Sequence, residues 1–306
     1  MRHPHVRLLE STPLPPPQQK ALMKVFCAGN ARKNMFIGFH RVEVFGSILE
    51  FRVRCDGEPC DGSMEPTGGA DIVVDVVRAP GWQNSADAFG VHSERDAAGV
   101  RRIVVERPFV SGALWATPRG FEGAFTIGGE PDALLEGLMS FALSALCEVR
   151  GDLLLHASAV MRGDRALLFL GDGGAGKTTI ATELNGDRET FCVDKALVTT
   201  RPDGVLRVHS TPFGDGFDGP RRPESAAVAG LFFIEQAEEN EVVPLSRWEA
   251  TNLLVRQTLA ESRDLDLVQR TMNTIGRLAD LDVSFRLRFK KDAGFWPLVD
   301  GVLSKG

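Results

Sequence analysis

The stretch ALLFLGDGGAGKTTIATEL, residues 166–184, decides how this chain is read. An apolar run, Ala166 to Leu170, feeds a glycine-rich turn, and an amphipathic segment follows at once. Gly171, Gly176, Lys177 and Thr178 satisfy the P-loop pattern G-x-x-x-x-G-K-[ST]. A triphosphate packs several negative charges into a small volume. A loop of backbone N–H groups can surround it only where side chains stay out of the way, and Gly171, Gly173, Gly174 and Gly176 supply that freedom. The segment from Lys177 is expected to be helical, with its free N–H groups facing the phosphates. Lys177 would reach the β- and γ-phosphates and the Thr178 hydroxyl would hold Mg²⁺. The nucleotide-binding set expected from this pattern is Gly171, Asp172, Gly173, Gly174, Ala175, Gly176, Lys177, Thr178 and Thr179.

Two strands, LLLHASAVM (153–161) and RALLFLG (165–171), flank an Arg162-Gly163-Asp164 turn. A connection this short makes a hairpin, so the strand before the loop is expected to be antiparallel to its predecessor. Rossmann-type and Ras-type P-loop proteins put a parallel strand there. The pattern therefore predicts an α/β domain with a mixed sheet. Downstream, residues 190–200 and 204–209 read as strands, and AGLFFIEQ (229–236) reads as a fully buried central one. Residues 246–261 and 264–279 read as helices, the first capped by Ser246 with Glu249 completing a capping box. Residues 283–289 close as a strand, and a short helix covers Phe295 and Trp296.

Upstream, residues 131–150 carry apolar positions at three- and four-residue spacing (Leu134, Leu135, Leu138, Phe141, Ala142, Ala145, Leu146) behind Pro131, a helix with proline in its first turn. Residues 21–130 read as a β-rich domain, with strands at 36–45, 48–54, 71–77, 100–106 and 121–127. His40 and His92 join no recognisable catalytic set there. Residues 1–20, with Pro13, Pro15, Pro16 and Pro17, read as a flexible tail. The domain order is thus tail 1–20, β-rich domain 21–130 and P-loop domain 131–306.

Length and composition suit one large domain or two smaller ones. Lys and Arg total 35 against 41 Asp and Glu, a net charge of −6, so no basic surplus exists for phosphate backbones and a nucleic-acid partner is not expected. No apolar stretch approaches a membrane span and the first residues carry no secretion signal, so neither membrane insertion nor export is expected. Five scattered cysteines, Cys27, Cys55, Cys60, Cys147 and Cys192, read as reduced thiols of a cytoplasmic protein. Cys55 and Cys60 lack a second pair at metal-binding spacing and are assigned to a hairpin turn.

Over residues 130–300 the sequence resembles the HPr kinase/phosphorylase-like P-loop kinases, whose core is shared with phosphoenolpyruvate carboxykinase. LHAS (155–158), GDGGAGKT (171–178), VDKALV (193–198), HSTPFGD (209–215), LFFIEQAEENEVVPLS (231–246) and FKKDAGFW (289–296) carry the resemblance. It looks most like the shorter relatives associated with peptide-modification gene clusters. The resemblance implies an HPr kinase-like core, with ATP and Mg²⁺ as cofactors. It implies phosphoryl transfer to a Ser/Thr hydroxyl of a peptide or small protein, and a possible homo-oligomer. His156 stands where the family keeps a histidine near the phosphates; a structural role beneath the loop is the alternative. Asp194, 17 residues after Lys177, falls on the first member of the family's paired acids and becomes the candidate base and metal ligand. The second member falls on Lys195. A lysine there lowers the pKa of its neighbour and weakens it as a base. Asp215 or Asp218 could then supply the missing acid, Asp215 as a metal ligand, and Arg221 or Arg222 could stabilise transferred charge. Two other functions compete: a nucleotide-binding scaffold or delivery subunit with weak or no transfer, which Lys195 favours, and a small-metabolite kinase.

Overall fold

The computed structural model describes residues 38–44, 47–55, 72–78, 90–95, 97–117, 120–128, 131–201, 203–211, 213, 225–260 and 264–304. The proline-rich tail, Cys27, Cys60, Asp215, Asp218, Arg221 and Arg222 lie outside them. The chain forms two compact units. One runs to Leu146 and takes in Asp264; the other begins at Cys147.

The first unit is a seven-stranded mixed sheet. Its strands are β1 (Gly38–Val44), β2 (Ser47–Cys55), β3 (Ile72–Arg78), β4 (Gly90–Arg95), β5 (Arg101–Arg107), β6 (Val110–Thr117) and β7 (Gly120–Ile127), in the order β1-β2-β3-β7-β6-β5-β4. β2/β3 and β3/β7 are parallel and the other pairs antiparallel. The turn expected around Cys55 and Cys60 falls, beyond Cys55, outside the described residues. Alternation puts Ile103, Val105, Leu114, Phe121, Phe125 and Ile127 on one buried face. Helix α1 (Pro131–Arg150) contributes Leu138, Met139, Ala142 and Leu143 to the core, and Phe141 meets Phe125 edge to face at 6.1 Å. From Ala142 to Glu148 the helix is buried all round, so its apolar stripe is wider than the spacing alone suggests. β4 and β6 were not among the expected strands. β6 (VSGALWAT) has a single fully buried position, Leu114, and so no strong alternation.

The second unit holds an eight-stranded mixed sheet. β8 (Leu153–Arg162) and β9 (Arg165–Leu170) form the antiparallel hairpin that the Arg162-Gly163-Asp164 turn demanded. β9 is parallel to β13 (Ser225–Gln236), which is also parallel to β15 (Ser284–Phe289). β10 (Thr190–Cys192) and β11 (Lys195–Thr200) pair with β8, and β12 (Leu206–Ser210) bridges β11 to β13. The pairings β8–β9–β13–β12–β11–β8 close a circuit. Edge strand β14 (Glu241–Pro244), too short and exposed to be read from the sequence, pairs with β15.

β9 is buried on both faces, which is why it reads as a continuous apolar run. Ala166, Leu168 and Leu170 face a core completed by Leu155, Ala250, Leu254, Ile275 and Leu278, the last four from α3 (Arg247–Gln257) and α4 (Leu265–Ala279) with Leu155 from β8. Leu167 and Phe169 face a second core with Ile180, Phe232, Phe289, Phe295, Trp296 and Val299. That core is aromatic: Phe169 stacks on Phe232 at 5.5 Å and meets Phe295 and Trp296 edge to face at 6.3 and 5.8 Å. Phe295 lies in a 3₁₀ turn (Ala293–Phe295) that leads into α5 (Trp296–Leu303).

Two expectations are corrected in this unit. Residues 190–200 are not one strand, because the chain turns sharply at Val193–Asp194. The helix expected over 246–261 ends at Gln257. Ser246 and Glu249 do form a full capping box: the Ser246 hydroxyl accepts from Glu249 N–H and the Glu249 carboxylate accepts from Ser246 N–H.

Candidate functional site

The glycine-rich loop leaves β9 at Leu170 and enters α2 (Lys177–Thr182). α2 is six residues long, shorter than the amphipathic pattern through Leu184 suggests. It is anchored from below, where Ile180 and Ala181 enter the aromatic core. Gly174 and Gly176 have φ of 80° and 112°, a region that costs other residues steric strain. Gly176 is constrained a second time: a Cβ there would lie 2.8 Å from Cε1 of Phe289. Gly173 is open, with nothing within 4 Å of a Cβ placed on it. The loop thus rests on an aromatic floor and has a free upper side.

Lys177 is 6% exposed, and its Nζ donates to the carbonyls of Gly171 (2.6 Å) and Asp172 (3.0 Å). Burial pushes its pKa down, while the charges of Asp194 and Asp172 pull it back up. Thr178 is exposed and Thr179 half-buried. Two side chains that sequence reasoning did not single out hold the loop. Gln257 Nε2 donates to Asp172 Oδ1 at 3.2 Å, and Gln236 Nε2 donates to the Gly174 carbonyl at 2.8 Å. They lie 85 and 62 positions along the chain from their partners, so nothing local in the sequence marks them.

Asp194 sits beside this loop in a conformation that few residues adopt. Its φ is 70°, and Lys195 N–H donates to the Val193 carbonyl at 2.9 Å across it, a tight three-residue turn. The turn separates β10 from β11 and is tied to β8: Ala157 N–H donates to the Asp194 carbonyl (3.0 Å) and Asp194 N–H to Ser158 Oγ (3.4 Å). Register places His156 opposite Lys195. His156 Nε2 is 3.3 Å from Asp194 Oδ1, each side chain about one third exposed at 33% and 34%. The Lys195 ammonium bonds to the other oxygen, Oδ2. His156 first, and Lys195 with it, hold the Asp194 carboxyl well below the usual carboxylate range against a burial that raises it. Lys195 is itself pinned. Its Nζ lies 4.9 Å from the Phe213 ring centroid and its carbonyl accepts from Thr211 Oγ1 at 2.6 Å.

Lys177, Asp194 and His156 therefore share one end of the sheet. The open glycines leave room above the loop, while the Lys177 donors are engaged by the Gly171 and Asp172 carbonyls. The fit to Mg²⁺ is poor. Thr178 is available, but both Asp194 oxygens already carry donors and Asp172 is engaged by Gln257. Among the described residues no three or more His, Cys, Asp or Glu side chains come together in a way that could hold a metal ion. No helix among them is long and apolar enough to cross a membrane. Cys147 and Cys192 are buried thiols, and burial pushes the Cys147 pKa up.

A protein-family model described as "ScmC: SynChlorMet cassette protein ScmC" matches residues 138–303, more than half of the chain and the whole of the site just described. None of the curated proteins compared matches the chain.

Proposed function

For this chain, which belongs to the family of SynChlorMet cassette protein ScmC, we propose a P-loop of HPr kinase-like type. It binds ATP through residues 171–179 and transfers the γ-phosphoryl group to a Ser/Thr hydroxyl of a peptide or small protein. The observation that carries this is the grouping of Lys177, Asp194 and His156 at one end of a mixed sheet. In the transfer the acceptor oxygen forms a bond to the γ-phosphorus as the bond to the β-bridging oxygen breaks, leaving ADP. Lys177 releases the Gly171 and Asp172 carbonyls and turns its ammonium to the β- and γ-phosphates. Asp194 orients the acceptor hydroxyl, and the departing proton passes to the Asp194–His156 pair. Thr178 is the described residue whose hydroxyl would hold Mg²⁺, which would neutralise phosphate charge. A cassette name is consistent with a peptide substrate supplied by a neighbouring gene. The buried thiols are consistent with a reducing cytoplasm.

A second reading is favoured by one contact. The Lys195–Asp194 ion pair lowers the basicity of Asp194, as expected of a nucleotide-binding scaffold with weak or no transfer. Incubation of purified protein with labelled ATP and candidate peptides, proteins and metabolites separates the two. Label on a peptide hydroxyl supports transfer; bound nucleotide with no labelled acceptor leaves the scaffold; a labelled metabolite replaces the peptide. Lys177→Ala is expected to abolish nucleotide binding, and retained affinity refutes the P-loop.

A further inference from the structure

The side chains around the loop are arranged more for an internal cation than for an external one. Two carboxylates act on Lys177, those of Asp194 and Asp172. Asp172 is held by Gln257. Asp194 is bonded by His156 on one oxygen and by the Lys195 ammonium on the other. A magnesium ion takes oxygen ligands at about 2.0–2.1 Å in near-octahedral geometry, and an ammonium on the same oxygen repels it. The ammonium is not a loose surface charge. The side chain of Lys195 is 15% exposed, its ammonium lies over the Phe213 ring, and its own carbonyl is fixed by Thr211 at the first residue of β11. The turn at Asp194 sets both side chains on the same short segment.

We propose that Lys195 takes the place of a divalent cation at this site, so that the chain binds a nucleoside triphosphate without requiring Mg²⁺. This rests on the P-loop reading above. An approaching triphosphate is repelled by an unscreened carboxylate. Here the ammonium of the next residue screens Asp194 in advance. Lysine is a compact charge that can neutralise phosphate but cannot coordinate it. Binding is therefore retained without metal, whereas any acceleration that needs a coordinated ion is not supplied by Lys195.

The test is the affinity of the full chain for ATP in excess EDTA and in excess Mg²⁺, by isothermal titration calorimetry. The wild-type constants are expected to agree within about threefold. Lys195→Gln is expected to lose about tenfold in EDTA, the scale of one partly screened charge pair, and to recover in Mg²⁺ because Asp194 is freed to bind it. Lys195→Arg is expected to behave as wild type. A wild-type affinity that falls by more than about threefold in EDTA overturns this inference and leaves the nucleotide reading standing. No ATP binding in either condition overturns both. The wild-type comparison decides even where the glutamine variant fails to fold.

Discussion

Gly176→Ala separates the structural work of the loop from its binding work. The φ of 112° at this position costs a residue with a Cβ about 1–2 kcal/mol. The new methyl would also lie 2.8 Å from Cε1 of Phe289, whose ring is 2% exposed and packs edge to face on Phe295 at 5.4 Å. A buried ring forced to shift costs about 1–3 kcal/mol more. The total, about 2–5 kcal/mol, is a large part of the 5–15 kcal/mol that folded chains typically hold. Urea denaturation followed by circular dichroism measures it directly. Gly173→Ala is the control. Nothing lies within 4 Å of its Cβ, so stability should change by less than about 0.5 kcal/mol. Its methyl nevertheless enters the space proposed for phosphate, and ATP affinity should fall. Combining Gly176→Ala with Phe289→Ala removes the overlap, so the two losses should be less than additive. A Gly176→Ala protein as stable as wild type would refute the described loop conformation and its contact with Phe289.

Burial and then Arg207 lower the His209 pKa to about 4, while its Nε2 shares a 2.8 Å hydrogen bond with Thr199 Oγ1. Below about 6.5 the unfolded chain takes up a proton that the folded chain refuses. Stability should therefore fall between about pH 6.5 and 4, by up to about 3 kcal/mol, and His209→Gln should flatten that slope in pH-dependent melting. At Asp194, Asn tolerates the left-handed conformation and Gly relieves it, whereas Ala loses the side-chain bonds and keeps the strain. Melting temperatures should rank Asn above Gly above Ala, and an Ala variant equal to Gly would count against strain at this turn. Ser246→Ala removes the cap of α3 and should cost about 1 kcal/mol in chemical denaturation, with the far-UV spectrum otherwise unchanged.

Several parts of this structure were legible because local rules decide them. The Arg162-Gly163-Asp164 turn is too short for anything but a hairpin, and a hairpin ahead of a P-loop pattern implied a mixed sheet. Ser246 and Glu249 sit at capping-box spacing before an apolar-periodic run. Other parts were hidden for physical reasons. β14 is four residues at a sheet edge with little to bury, and β6 buries one side chain fully. The break between β10 and β11 could not be read, because TFCVDKALVTT has the composition of one strand. The bonds that tie Asp194 to Ala157 and Ser158 of β8 come from a distant segment and help hold the turn that interrupts it. Gln236 and Gln257 carry no local signal for their work on the loop; each is an ordinary helix or strand residue until the fold brings it there.

The chain sequence by itself determined the glycine-rich loop, the antiparallel strand ahead of it and the presence of Lys195 beside Asp194, because each follows from residues a few positions apart. Tertiary structure decided what Lys195 does. Its pairing register with His156, the tight turn at Asp194 and the Phe213 ring come from three separate segments. Together they convert a residue that reads as the loss of an acid into an ammonium fixed on the acid that remains. The glycine-rich loop pattern is a statement about backbone freedom. The charge placed around it depends on which strands lie side by side, and residue spacing along the chain does not contain that.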